Sequence, residues 1–162
     1  MKVASFFAGV GGIDTGFANA GFEVIWANEF DKHAAMTYQK NFDSTLVVDD
    51  IRNIEAKDIP DFDIMIGGFP CQAFSVAGLR KGFDDDRGNL FFELERILKA
   101  KKPQVIFLEN VKNLVGHDNG NTFRTILKSL KSEGYHVKKE VLNASEYGNL
   151  PQNRERIYIV AF

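Results

Sequence analysis

The stretch Lys2-Val3-Ala4-Ser5-Phe6-Phe7-Ala8-Gly9-Val10-Gly11-Gly12 is an apolar run broken by closely spaced glycines, and Ile13, Phe17 and Ala20 follow at helical spacing up to Gly21. It reads as a strand, a tight turn and a helix. Outward from it, Phe22 to Ala27 predicts a second strand ending at Asn28-Glu29-Phe30, with Asp31 as the cap of a helix that runs to Lys40. A short strand over Leu46 to Val48 precedes Asp49-Asp50-Ile51, and Asp61 to Gly67 predicts a buried fourth strand closed by Gly68-Phe69-Pro70. Residues 71–88, rich in Gly and Asp, read as a long functional loop, after which Asn89 opens a helix striped by Leu90, Leu94, Ile97 and Leu98. Gln104 to Leu108 predicts a fifth strand ending at Glu109-Asn110-Val111. A helix over Asn121 to Ser132 buries Phe123, Ile126, Leu127 and Leu130. Tyr135 to Leu142 and Arg156 to Phe162 are further strands around a loop over Ala144 to Asn153.

Strands alternating with helices predict an α/β protein with a mostly parallel sheet, helices on both faces and ligands at the carboxyl ends of the strands. Gly9 to Gly12, Glu29, Asp50, Gly68 to Cys71 and Glu109 all fall at such ends, so the chemistry is expected there. The 162 residues, 44 % hydrophobic and 26 % charged, fit one domain. A domain of this size buries about two thirds of its unfolded surface and needs no staple. Cys71 is the only cysteine, which excludes an internal disulfide. The apolar runs are shorter than the ~18 residues of a membrane span, and Met1 to Phe7 has no signal-peptide core, so a cytoplasmic protein without membrane attachment is expected. A net charge of -2 excludes a strongly basic nucleic-acid clamp.

A glycine turn between a first strand and helix lets a ligand approach the backbone, and an acid ending the second strand accepts hydrogen bonds from ribose hydroxyls. Gly9, Gly11, Gly12 and Glu29 fit those roles. The spacing G-x-G-G admits adenosine without a pyrophosphate as readily as NAD, and the cofactor stays open on this ground. Phe7 and Phe30 are placed to flank an adenine ring and Asp50-Ile51 to meet its edge; read singly, each aromatic fits a core position as well. Cys71 follows a strand, two glycines and a proline in Gly67-Gly68-Phe69-Pro70-Cys71-Gln72-Ala73-Phe74-Ser75, a setting that presents a thiol to a cleft. A cysteine attacks as the thiolate, which nearby positive charge favours, and Arg154 and Arg156 in Gln152-Asn153-Arg154-Glu155-Arg156 are candidates to supply it. Glu109, expected just past the end of the fifth strand beside an apolar wall, is suited to carry a proton. His33, His117 and His136 lack metal-ligand spacing, Cys71 has no second thiol near it, and Asp84-Asp85-Asp86 followed by Arg87 reads as a solvated loop, so no metal is expected.

With these residues in view, the chain resembles the catalytic part of the DNA (cytosine-5) methyltransferases of the bacterial restriction-modification type. Phe7 to Gly12 resembles the family's first cofactor motif, Gly68 to Ser75 its nucleophile motif, Glu109-Asn110-Val111 its acid motif and Gln152 to Arg156 its late arginine motif, all in the family's order. The resemblance implies a Rossmann-like, S-adenosylmethionine-dependent methyltransferase fold acting on duplex DNA. It also implies that Cys71 adds to carbon 6 of a flipped cytosine, that Glu109 protonates or hydrogen-bonds ring nitrogen 3, and that Arg154 and Arg156 position the base. Phe7, Gly9, Val10, Gly12, Glu29, Phe30, Asp50, Ile51, Pro70 and Leu90 would by the same carry-over contact the cofactor, and the loop from Gln72 to Gly88 would close over DNA.

The chain departs from the family after Ile157-Tyr158-Ile159-Val160-Ala161-Phe162, where a target-recognition region and two closing motifs would follow. The expectation is therefore one catalytic and cofactor-binding domain over 1–162, a fold incomplete at the C-terminus with the target-recognition domain absent. It would be half of a split enzyme, completed by a second polypeptide, or a truncated chain. Other readings are an inactive S-adenosylmethionine-binding fragment and a tRNA cytosine-5 methyltransferase. An NAD-dependent oxidoreductase rests on the glycine turn alone and leaves Pro70-Cys71 and Glu109-Asn110 unexplained.

Overall fold

Val3, Ala4, Ser5 and Phe6 are all buried on β1 (Lys2–Phe6), because this strand runs through the middle of the sheet with a hydrogen-bonded neighbour on each side. The computed structural model describes residues 1–70 and 90–162. The expectations for Cys71, for the loop over 72–88 with its Asp84 to Arg87 run, and for Asn89 as a helix opener fall outside the described residues. After β1 come α1 (Gly12–Asn19), β2 (Glu23–Glu29), α2 (Lys32–Gln39), β3 (Thr45–Val48), β4 (Ile64–Gly67), α3 (Leu90–Lys101), β5 (Val105–Val111), α4 (Asn121–Ser132), β6 (Val137–Asn143), α5 (Ala144–Tyr147) and β7 (Glu155–Ala161). The seven strands form one sheet in the order β3-β2-β1-β4-β5-β7-β6. β1 to β5 pair in parallel, and β7 runs antiparallel to both β5 and β6.

The period-two pleat sends alternate side chains to opposite faces. Val3, Ile64 and Ile66 share one face with Val24, Val105 and Phe107, and Ile13 and Phe17 of α1 cover it. Ala4, Phe6, Met65, Ile106 and Leu108 face the other way, against Leu94, Ile97 and Leu98 of α3 and Phe123, Ile126 and Leu130 of α4. The α/β fold with a mostly parallel sheet and helices on both faces is therefore what the chain adopts. The chain order turns around β1, whose neighbours are β2 and β4. This switch point opens the crevice at the carboxyl edge.

Two elements differ from the expectation. The fifth strand does not stop at Leu108 but continues to Val111, so Glu109 lies inside β5. Its parallel neighbour ends at Gly67↔Leu108, and antiparallel pairing with β7 through Glu109↔Tyr158, Asn110↔Ile157 and Val111↔Arg156 carries it on. The stretch read as a plain loop over Ala144 to Asn153 contains α5, capped by the Asn143 side chain accepting from the Ser145 amide. Leu127 on α4 is partly rather than fully buried. Among the described residues, no helix is long and apolar enough to cross a membrane.

Candidate active site

Phe7 leaves β1 in the left-handed region (φ 54), followed by Gly9 at φ 59 and Gly11 at φ 92. A non-glycine residue held there costs about 1–3 kcal/mol and marks a turn whose shape matters. The Ala8 amide donates to the Asn28 carbonyl at 3.0 Å and the Gly11 amide to the Ala8 carbonyl at 2.9 Å, which curls the turn toward β2. Glu29, the last residue of β2, finishes the arrangement: its Oε2 accepts from the Gly9 amide and its Oε1 from the Asp31 amide, each at 2.7 Å. Phe30 and Val10, expected to meet a cofactor, are 67 % and 57 % exposed. The Phe7 side chain instead packs against the core, with part of its surface open.

Beyond β3, Asp50 caps a 3₁₀ turn over 51–53 through the Arg52 amide (3.0 Å) and holds the Arg52 guanidinium with both carboxylate oxygens. That guanidinium keeps the Asp50 carboxyl below the usual carboxylate range. The Ile51 side chain, expected to meet an adenine edge, is buried. Leu90 opens α3, partly buried against the same core.

On the other side of the switch point, β4 exits through Gly67-Gly68-Phe69-Pro70. Gly67 backs onto the Phe6 carbonyl, with 3.1 Å between that oxygen and the place a Cβ would take. Asn110 on β5 donates from Nδ2 to the Phe69 carbonyl at 2.8 Å and ties the peptide before Pro70 to the neighbouring strand. Glu109 Oε1 pairs with Arg156 Nε at 3.0 Å, with the two side chains 19 % and 20 % exposed. A guanidinium thus stands beside Glu109, where an apolar wall was expected. A Cβ on Gly68 would stand 3.4 Å from Glu109 Oε2, so the strand exit passes directly over this carboxylate. Glu155, the intervening residue on β7, pairs instead with Lys112 at 2.8 Å and leaves Arg156 to Glu109. Arg154 is exposed just before β7 and Pro70 is exposed at the last described position before Cys71.

The turn at Gly9 to Gly12, Glu29, Asp50-Ile51, Pro70, Glu109 and Arg156 therefore share the carboxyl edge of the parallel strands. Several contributors were not identified from the sequence. Asn28 donates from Nδ2 to the Val47 and Asp49 carbonyls (3.1 and 2.8 Å) and fixes the path toward Asp50. Arg96 of α3 donates to the carbonyls of Ile51 (3.3 Å) and Ile54 (2.8 Å). Asn143 accepts from the Arg154 amide at 3.0 Å and donates to Asn153 at 2.8 Å, anchoring the arginine segment. Each is a polar side chain ordering a backbone far along the chain, which leaves no periodic signal. Among the described residues, no group of three or more His, Cys, Asp or Glu is arranged to hold a metal ion.

A seven-stranded sheet in this order, with a glycine turn and an acid at adjoining strand ends, is the architecture of the S-adenosylmethionine-dependent methyltransferases. Two solved structures match it closely. A putative DNA modification methyltransferase encoded within an E. coli prophage superposes with a TM-score of 0.82 at 30 % identity, over 99 % of this chain and 46 % of that one. The Dnmt2 methyltransferase of S. pombe superposes at 0.83 and 25 % identity, over 99 % of this chain and 50 % of that one. The chain belongs to the C-5 cytosine-specific DNA methylase family, whose model matches residues 1–162. It is 66 % identical to the Type II methyltransferase M.Bsp6I of a Bacillus species, over 100 % of this chain and 52 % of that protein. It is 46 % identical to M.HhaI of Haemophilus parahaemolyticus, over 100 % of this chain and 49 % of that protein. The chain thus spans about half the length of the curated relatives it matches.

The cofactor of this family, S-adenosylmethionine, fits the residues present. Among the described residues, nothing beyond the chain neighbours lies within 4 Å of where a Cβ would stand on Gly9 or Gly12, so the turn borders open space. Beside that space are the fixed Glu29 carboxylate and the exposed Phe30 ring.

Proposed function

We propose that this chain is the catalytic part of a DNA cytosine-5 methyltransferase, which transfers a methyl group from S-adenosylmethionine to carbon 5 of a cytosine flipped out of duplex DNA. The observation that carries the proposal is the Glu109–Arg156 pair beneath the Gly68 exit, one strand from the glycine turn and directly before the segment bearing Cys71. Gly9, Val10, Gly12, Glu29, Phe30, Asp50, Ile51, Pro70 and Leu90, with Phe7 at the turn, hold the cofactor, and Glu29 receives the ribose hydroxyls. When bound, S-adenosylmethionine supplies an electrophilic methyl group on a sulfonium sulfur.

The Cys71 thiolate adds to carbon 6 of the cytosine, forming an Sγ–C6 bond and moving the ring's electron pair toward carbon 5. Glu109 protonates or hydrogen-bonds ring nitrogen 3 and takes any proton it gave back as Cys71 leaves, and the Arg156 guanidinium stabilises the Glu109 carboxylate in between. Arg154 orients the base from the outer side. After methylation a base removes the carbon 5 proton, and the electrons released expel Cys71 as the thiolate. Recognition of the DNA sequence belongs to what corresponds to the other half of the relatives' length, carried on a second polypeptide or on the remainder of a longer chain. The 20 Lys and Arg of this half are outnumbered by 22 Asp and Glu, so it has no excess of positive charge to offer the phosphates. The reading carries with it a cytoplasmic location and membership in a restriction-modification system.

The test is transfer of labelled methyl groups to mixed-sequence duplex DNA, by this chain alone and with the polypeptide encoded beside it, with tRNA as competitor. Transfer that needs the second chain supports the proposal. Transfer only to tRNA, or none with either mixture, sinks it.

A further inference from the structure

Asp14 is fully buried in the first turn of α1, and the chemistry proposed above makes no use of it. Its Oδ2 accepts from Ser5 Oγ at 3.0 Å, and its Oδ1 accepts from the Tyr38 hydroxyl at 2.8 Å. The Tyr38 hydroxyl is in turn 3.1 Å from Ser44 Oγ. Burial raises the Asp14 carboxyl above its ordinary pKa and pushes the Tyr38 hydroxyl well up as well. Taking a carboxylate out of water, met by hydroxyls and its own amide, is costly. A group retained at that cost fixes geometry.

The geometry it fixes is that of the glycine turn. Ser5 stands on β1 before the turn and Asp14 on α1 after it, so their hydrogen bond staples the strand to the helix across Phe7 to Gly12. Tyr38 comes from the far end of α2, the helix that begins immediately after Glu29 and Phe30. The Phe42 ring stacks on Tyr38, with centroids 4.5 Å apart and planes at 23°. It also fills the notch at Gly11, where a Cβ would stand 2.1 Å from its edge. The turn is thus gripped from the cleft by Glu29 and from beneath by Tyr38 and Phe42.

We infer that Asp14, Tyr38 and Phe42 are positioning residues for the nucleoside end of the cofactor: they set the glycine turn against α2, and so against Glu29 and Phe30. The inference rests on the reading of this cleft as the S-adenosylmethionine site. A pocket held in its binding geometry avoids ordering costs on association, so loosening the grip weakens binding without removing a contact.

The experiment measures binding of S-adenosylhomocysteine to the 162-residue chain by calorimetry, for the wild type, Tyr38→Phe and Tyr135→Phe. Tyr135 is the matched control, a half-buried hydroxyl that donates to the Pro103 carbonyl at 2.7 Å in another part of the fold. Both variants are expected to lower the melting temperature, and only Tyr38→Phe to weaken binding, by about tenfold, as loss of a hydrogen bond to a carboxylate would give. Affinity in Tyr38→Phe within twofold of the wild type, or an equal loss in Tyr135→Phe, overturns the inference and leaves the cofactor reading intact. Absence of binding by the wild type overturns both. If Tyr38→Phe does not fold, Phe42→Leu is read in its place against the same expectation.

Discussion

The two sides of the switch point build their halves of the cleft with different materials. Around β1 and β2 the working groups are backbone: left-handed residues at Phe7, Gly9 and Gly11, amides of Gly9 and Asp31 aimed at one carboxylate, and a hydroxyl network beneath. Around β4, β5 and β7 they are side chains: a shielded ion pair between Glu109 and Arg156, and Asn110 reaching across to a carbonyl. A neutral, curved backbone suits a ligand that is bound and released unchanged over its nucleoside part. Charge held close to a reacting ring suits a group whose electron density must shift during reaction. The first half is vulnerable to changes in backbone shape, the second to changes in charge.

Substitutions should separate the halves cleanly, beginning with the largest effect. Cys71→Ala is expected to reduce methyl transfer below detection while S-adenosylhomocysteine binds as before; transfer at the wild-type rate would remove Cys71 as the nucleophile. Glu109→Gln keeps the shape and loses the acid, and single-turnover transfer, under whichever conditions support it in the wild type, is expected to slow by about 10²–10⁴-fold, with cofactor affinity unchanged. A matching loss of affinity would mean that the two halves are not separable at this residue.

Gly11→Ala should give the reverse pattern. Gly11 is at φ 92 and its Cβ would collide with Phe42, so S-adenosylhomocysteine binding weakens and unfolding occurs at lower denaturant. The stability loss is about 1–3 kcal/mol. The smallest effects are in the pH dependence of stability. Asp50, held low by Arg52, contributes stability that is fully present above the unfolded carboxylate pKa and is lost as pH falls through its lowered folded value. Asp14, raised by burial, has the opposite sign: the folded state holds its proton longer, so its contribution is most favourable at low pH and declines as pH rises through the raised folded value. Denaturant titrations from acid to neutral pH should show the first slope flattened in Asp50→Asn and the second in Asp14→Asn.

This division also explains which parts were legible in the sequence. On the β1–β2 side the strand, turn and helix could be read, because they are contiguous and glycine punctuation marks where a backbone must bend. Asp31 was recognised as a cap for the same reason, its partners being the amides of His33 and Ala34. The base half was read as motifs but not as structure. The continuation of β5 to Val111 depends on β7, a partner far along the chain, and no local pattern reports it. The surroundings of Glu109 were misjudged for that reason, since the guanidinium beside it arrives on the same late strand. Ser5, Asp14 and Tyr38 were passed over because a polar residue inside an amphipathic pattern reads as surface until the fold brings three of them together.

The place of β7 has a consequence for synthesis on the ribosome. It lies between β5 and β6 but follows both in the chain, so the far edge of β5 has no strand to pair with until residues 155–161 have been translated and inserted. Arg156 enters with that strand, so Glu109 meets its cation only once β7 has paired with β5. A nascent chain can already have the sequence of its glycine turn and of Cys71 while Glu109 still lacks its partner guanidinium. The Glu109 side of the cleft thus waits for a strand from far along the chain, while the glycine turn is built from neighbouring sequence.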